Sequence, residues 1–312
     1  MFRTVILTVF VCLSLVGRSE AAEKLTVLLD WFVNPDHAPL VVAKAGGYFE
    51  RAGLDVELIA PADPSAPPKL VAAGQADIAI TYQPDLMLFL KEGLPLVRFG
   101  TLVETPLNSL VALKDGPVKT LADLKGKTVG YSVAGFEDIY VTVLLDSVGL
   151  KPSDITLVNV NFNLTSSLMA GQVDAVIGAF RNFELTQLAL EGREGIAFYP
   201  EEHGVPAYDE LIYVTNAELR DDPRLAQFLA AVEEATIYLT NHPEAALEMF
   251  VAAYPELDDE LNRTAWSDTL PRFAKRPAAV DRHRYDRFGA FLVDAGLIDE
   301  VPPFDSYNSI AR

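Results

Sequence analysis

Short apolar runs closed by turn residues alternate with helix-period segments through the first two thirds of the chain. Residues 25–29, 56–59, 78–81, 97–103 and 109–113 read as strands, and 39–52, 69–73 and 84–92 between them read as helices. The first of these helices carries Leu40, Val41, Lys44 and Tyr48 at helical spacing, with Gly53 at its end. Pro84 falls in the first turn of the third, where a missing N–H leaves no helical bond unmade. A Pro/Gly/Lys break at 114–119 precedes a second alternation, with strands at 128–131, 156–160, 175–177 and 196–199 and helices at 137–148, 166–170 and 183–191. After Gly204, Val205 and Pro206 comes a strand at 210–215. Helical patterns then fill 223–241, 243–253, 257–273 and 280–295.

Strands alternating with helices of this length predict parallel α/β sheets. Two short alternations followed by a helical tail predict two lobes rather than one large sheet. The breaks near 113 and 206 make the first lobe from 22–113 plus 207–312 and the second from 114–206, so that the chain crosses twice between them. A duplicated string supports this division. Ala73-Gly74-Gln75-Ala76-Asp77-Ile78-Ala79-Ile80 returns as Ala170-Gly171-Gln172-Val173-Asp174-Ala175-Val176-Ile177. Each copy ends a helix, turns on Gly and enters an apolar strand with Asp at its mouth. An aromatic residue follows each, Tyr82 in one and Phe180 in the other. Asp77 and Asp174 read as turn organisers rather than ligand contacts. Two hinged lobes form a cleft, the usual place for a small molecule and a common device for closing on one.

Composition narrows the class. The formal net charge is −19, spread along the chain, which disfavours nucleic acid as a partner because that recognition needs basic patches. The N-terminus reads as an export signal: Arg3 in a short positive start, an apolar run over 4–16, and small residues for cleavage after Ala21. That run is too short to span a bilayer. The sole cysteine, Cys12, lies inside it, so the exported chain is expected to have no disulfide, thiolate metal site or Cys nucleophile. A core drawn from roughly 290 residues is large enough to need no such staple. The export signal predicts a periplasmic protein, and the chain is expected to be a monomer.

The usual catalytic signals are missing together. His37, His203, His242 and His283 have no metal-ligand spacing. There is no nucleophile elbow, dinucleotide fingerprint or P-loop. The sequence therefore predicts no enzyme activity, no cofactor and no metal. The strongest local signal is the loop after the first strand, Asp30-Trp31-Phe32-Val33-Asn34-Pro35-Asp36-His37. In open α/β sheets ligands sit outside the carboxyl ends of the strands. Trp31 would offer a flat face there, although the same residue could equally anchor the core.

This loop, followed by Val42-Ala43-Lys44-Ala45-Gly46-Gly47-Tyr48-Phe49, resembles the start of the NMT1/THI5-like family. The strings at 73–77, 124–132 and 171–175 are also similar to family landmarks, and the resemblance covers roughly 25–216. It implies an α/β type II periplasmic binding protein fold, two lobes on a two-crossing hinge. Bacterial members of the family deliver small molecules to ABC importers, so an inner-membrane ABC permease is the implied transient partner. The branch most similar to this chain binds formylaminopyrimidine precursors of thiamine, and others bind riboflavin, sulfonates or nitrate. Fungal members synthesise the thiamine pyrimidine with an iron-dependent Cys-rich motif and a Lys that holds pyridoxal phosphate. An exported chain without cysteine departs from that pattern.

An aminopyrimidine is flat and wants aromatic faces on both sides. Trp31 from the first lobe and Phe180 or Phe183 from the second are the candidates. Its exocyclic amine and a protonated ring nitrogen both donate, and one carboxylate can accept both. Glu184 resembles the family's acidic residue at that place. Asn34 and His37 are candidates for a polar substituent. Tyr82, Glu104 and Ser132 sit at other predicted strand exits and would act once the lobes close. Arg181 is the one candidate for an anionic ligand in this segment.

Overall fold

The computed structural model describes residues 22–309. The apolar segment read as an export signal, with Cys12 and the cleavage position, lies outside them. Ten strands form two five-stranded sheets. They are β1 (Glu23–Leu28), β2 (Leu54–Ile59), β3 (Ile78–Thr81), β4 (Leu96–Val103), β5 (Asn108–Leu113), β6 (Thr128–Tyr131), β7 (Thr156–Asn159), β8 (Ala175–Phe180), β9 (Gly195–Phe198) and β10 (Leu211–Asn216). Each falls on an apolar run that the hydrophobic pattern predicts.

The sheets share one plan. The first runs in the order β2-β1-β3-β10-β4 and the second in the order β7-β6-β8-β5-β9. In the first, β1 pairs in parallel with β2 and β3, while β10 runs antiparallel to β3 and β4. In the second, β6 pairs in parallel with β7 and β8, while β5 runs antiparallel to β8 and β9. The antiparallel strand in each sheet arrives from the opposite lobe. Both sheets are therefore mixed, where the alternation alone predicts parallel ones.

This plan moves the first crossing. The run at 109–113, expected in the first lobe, is part of β5 and belongs to the second sheet. The chain crosses at 104–107 rather than after 113, and returns between 199 and 210. A fully buried apolar strand reads the same in either sheet, so only its tertiary partners decide. The break at 114–119 is a turn within the second lobe. The two crossings are bonded to each other: Glu210 accepts the amides of Leu107 and Asn108 and the Tyr208 hydroxyl, and Arg284 donates to the Glu104 carbonyl and the Asp209 carboxylate.

The duplicated string does the same work twice. Gly74 (φ 70°) and Gly171 (φ 67°) each take the left-handed conformation that ends a helix, which other residues adopt only with strain. Asp77 accepts the Thr26 amide at 2.8 Å, tying the strand mouth to β1. Asp174 accepts the Thr128 amide at 2.9 Å, tying the equivalent mouth to β6. Elsewhere one predicted helix is divided. The segment 39–52 forms Ala38–Ala45 and Tyr48–Arg51, because Gly47 turns left-handed at φ 69° between them. The C-terminal helices close over the first sheet, with Phe228 of Pro223–Asn241 stacked on Phe49 at 5.3 Å. No helix of the described residues is long and apolar enough to cross a membrane.

Asp174 lies at the opposite end of β8 from the cleft. Asp174→Ala is expected to lower stability by about 1 kcal/mol in urea unfolding, the net value of one such hydrogen bond, without changing ligand affinity. A loss of affinity at unchanged stability would contradict a purely architectural role for the repeated Asp.

Candidate functional site

The carboxyl ends of the central strands of both sheets face one cleft. Asp30 and Trp31 follow β1, Tyr82 follows β3, and Val133 and Glu137 follow β6. Gly178 and Phe180 end β8, and Phe183 and Glu184 follow it. With Asn34 and Asp36 these residues line the cleft, which is closed down to a cavity of ≈ 20 Å³, about the room of one water.

The two aromatic residues that follow the repeated string meet here. Tyr82 and Phe180 lie edge to face with ring centroids 6.4 Å apart, and Tyr82 stacks on Phe136 of the second lobe at 4.5 Å. Trp31 lines the cleft and also belongs to the apolar cluster of the second lobe. Its indole meets the Phe162 ring at 4.6 Å and 63°. Trp31 is thus packed as a core anchor while still lining the cleft. Phe32, beside it, approaches Phe183 at 6.0 Å. Aromatic rings from both lobes close the cleft.

Four carboxylates, Asp30, Asp36, Glu137 and Glu184, line the cleft, and no Lys or Arg of the described residues does. Asp30 is held by His37 Nε2 at 3.0 Å and by the Tyr82 hydroxyl at 3.1 Å. His37 Nδ1 accepts the Asn34 amide at 3.3 Å, so Nε2 carries the proton it donates to Asp30. Asp36 accepts from the Asn182 side chain at 2.8 Å, across the cleft. Glu184 accepts the Phe180 amide at 2.7 Å. Glu137, in the first turn of helix Phe136–Asp146, accepts the Ser132 amide at 2.8 Å. A Cβ on Gly178 would strike the Glu137 carboxylate, and Gly178 itself has φ 95°, so this position requires glycine twice over.

Burial raises three of these acids, Asp36, Glu137 and Glu184. It pushes Glu184 up to about 8, with the charge of Asp36 adding to the effect and the Phe180 amide opposing it. Burial also pushes Asp36 up to about 6, against the Asn182 hydrogen bond, and lifts Glu137 well above the usual carboxylate range. At the lobe contact beside the cleft, Asp85 accepts the Phe136 amide at 3.3 Å, and burial pushes it up to about 8. Such a chamber favours a flat guest that donates hydrogen bonds or carries positive charge.

The structure brings together Trp31, Asn34, Tyr82, Phe180, Phe183 and Glu184 of the expected residues. The other three lie elsewhere. His37 is fully buried behind Asp30 and acts on the cleft through it. Ser132 is buried, and its hydroxyl donates to the Asn161 carbonyl, fixing the turn that presents Phe162. Glu104 leaves β4 at the edge of the first sheet and lines a separate depression with Asp209 and Arg284. A strand exit faces the cleft only when the strand is central, which the sequence does not reveal. Arg181 is occupied by a paired contact to Glu201 and by the carbonyls of Leu107 and Asn108 at the hinge. Sequence reasoning missed Asp30, Asp36, Val133, Glu137 and Gly178. Only Gly178 carries a local signal, a glycine inside a strand where something approaches closely.

The fold is that of periplasmic binding proteins: the alkanesulfonate-binding protein of Xanthomonas axonopodis superposes with a TM-score of 0.71 at 16% identity, over 91% of this chain and 96% of that one. The chain belongs to the NMT1/THI5-like family, whose model matches residues 34–246. A Haemophilus influenzae protein provisionally named for thiamine biosynthesis is 54% identical, over 93% of this chain and 92% of its own. The formylaminopyrimidine-binding protein of Halalkalibacterium halodurans is 33% identical over 80% and 77% respectively. A 4-amino-5-hydroxymethyl-2-methylpyrimidine phosphate synthase of Legionella pneumophila is 28% identical over 90% of each chain.

The raised acids bind protons more tightly in the closed fold than in water. Their stabilising contribution is complete below about pH 4 and is lost as pH rises to about 8. The melting temperature is therefore expected to fall between pH 5 and pH 8.5, and Glu184→Gln to flatten part of that fall. A melting temperature that rises over this range would contradict the assignment of these carboxyls as buried and unpaired by cations.

Proposed function

We propose that this chain is the solute-binding component of an ABC importer, working in the periplasm and capturing an aminopyrimidine precursor of thiamine such as formylaminopyrimidine. The observation that carries the reading is the cleft itself: aromatic walls from both lobes, four carboxylates and no cationic side chain in its lining. A planar amine fits that chemistry. Its ring lies against Trp31, Tyr82 and Phe180, and its amine and protonated ring nitrogen donate to Glu184. The formylaminopyrimidine-binding relative supports the same choice of ligand. Capture proceeds by lobe closure, no bond is made or broken, and the closed form docks on the membrane permease.

The other ligands of the family fit less well. Sulfonate and nitrate would meet four acids, and Arg181, the one candidate to receive them in its segment, is committed to Glu201. The edge of riboflavin is rich in carbonyl acceptors, which an acidic wall repels. The synthase relative raises pyrimidine formation as a second reading. That chemistry would need a Lys to hold pyridoxal phosphate, and the cleft lining contains neither Lys nor Cys.

Titration followed by tryptophan fluorescence tests the proposal, since Trp31 is one of only two tryptophans. Formylaminopyrimidine is expected to bind saturably with one site. Glu184→Gln should weaken it by about 1.5–3 kcal/mol, the value of a hydrogen bond to a charged group. Unchanged affinity in this variant would remove Glu184 from the ligand's edge.

A further inference from the structure

We propose that Asp36 couples ligand recognition to lobe closure, one carboxylate oxygen holding Asn182 of the opposite lobe and the other accepting a donor on the ligand's ring substituent. The inference rests on the reading of the cleft as an aminopyrimidine site and adds a second recognition point to it.

Asp36 sits in the turn Pro35–His37 beyond β1, and the Asn34 side chain accepts its amide at 2.8 Å, which fixes its direction. Asp36 is 1% exposed. Its Oδ1 accepts from Asn182 Nδ2 at 2.8 Å, and the same Nδ2 donates to Thr269 Oγ1 at 2.7 Å. Asn182 follows β8 in the second lobe, while Asp36 and Thr269 belong to separate parts of the first. One amide group therefore pins the second lobe to the first at two places. Asp36 Oδ2 is buried, in a residue that lines the cleft, and has no hydrogen-bond partner among the described residues. A buried acceptor left unpaired is costly, and a ligand N–H or O–H is the group that would satisfy it. Closure places the Asn182 amide on one oxygen, and a ligand donor would complete the other.

The consequence is a specificity. Glu184 and Asp36 are distinct acids of one cleft, near enough for the charge of Asp36 to raise Glu184. With the ring amine at Glu184, Asp36 is left to read the substituent at position 5. A hydroxymethyl or formylaminomethyl group there donates, and a methyl group does not. A site built to pair a donor rejects the analogue that lacks it.

Two probes and two variants test this by calorimetry. The wild-type chain is expected to bind 4-amino-5-hydroxymethyl-2-methylpyrimidine at least tenfold more tightly than 4-amino-2,5-dimethylpyrimidine. Asp36→Asn places an amide N–H where the acceptor was, and should bring that ratio below threefold. Asn182→Ala leaves Oδ2 in place. It should keep the ratio while weakening both probes at least fivefold, and X-ray scattering should show a larger radius of gyration with ligand bound. Asp36→Ala serves should Asp36→Asn fail to fold, with the same loss of discrimination expected. A ratio that survives loss of the Asp36 carboxylate would overturn the inference while leaving the receptor reading intact. Failure of the wild-type chain to bind either probe would overturn both.

Discussion

Placing Glu184, Asp36 and Glu137 out of water without a cation in the cleft is the constraint on which the rest of the site depends. An isolated buried carboxylate is strongly disfavoured, so each must be held by donors or remain protonated. The fold supplies amides. Phe180 donates to Glu184, Ser132 to Glu137 and Asn182 to Asp36. These bonds occupy part of each carboxylate. What remains favours a guest rich in donors, enclosed by rings that keep water out.

The duplicated architecture makes that chamber possible. Each sheet places two central parallel strands, β1 and β3 or β6 and β8, with their carboxyl ends toward the other lobe. Each receives its antiparallel strand from its partner, so the lobes are tied through the sheets themselves rather than by a loose linker. The hinge groups, Arg181, Glu201, Asp209, Glu210 and Arg284, are spent on one another and on the crossing backbone. Arg181, which lies between cleft residues in sequence, is thereby kept out of it.

Much of this was legible in the residues. Every strand lies on an apolar run bounded by turn residues, and the Gly-Gln-x-Asp repeat marks equivalent strand mouths because left-handed Gly and a capping Asp are local requirements. Tyr82 and Phe180 could be placed by their position after the repeat. The assignment of β5 to a lobe could not, since a strand buried on both faces carries no label for its neighbours. Glu104 and Ser132 show the same limit: both leave strands, but one strand lies at a sheet edge and the other hydroxyl is consumed by Asn161. Asp36 and Glu137 were hidden because an acid in a first helical turn is normally solvated. Asp36 is bonded to Asn182 of the opposing lobe, and Glu137 is packed against Gly178 of its own.

The central claim is that an acidic, cation-free chamber selects a planar donor and refuses anions. Calorimetric titration of the purified chain with formylaminopyrimidine, taurine and nitrate under one set of conditions tests it most directly. Saturable one-site binding of the pyrimidine alone is the result expected. Saturable binding of taurine or nitrate, with no heat from the pyrimidine, would contradict it.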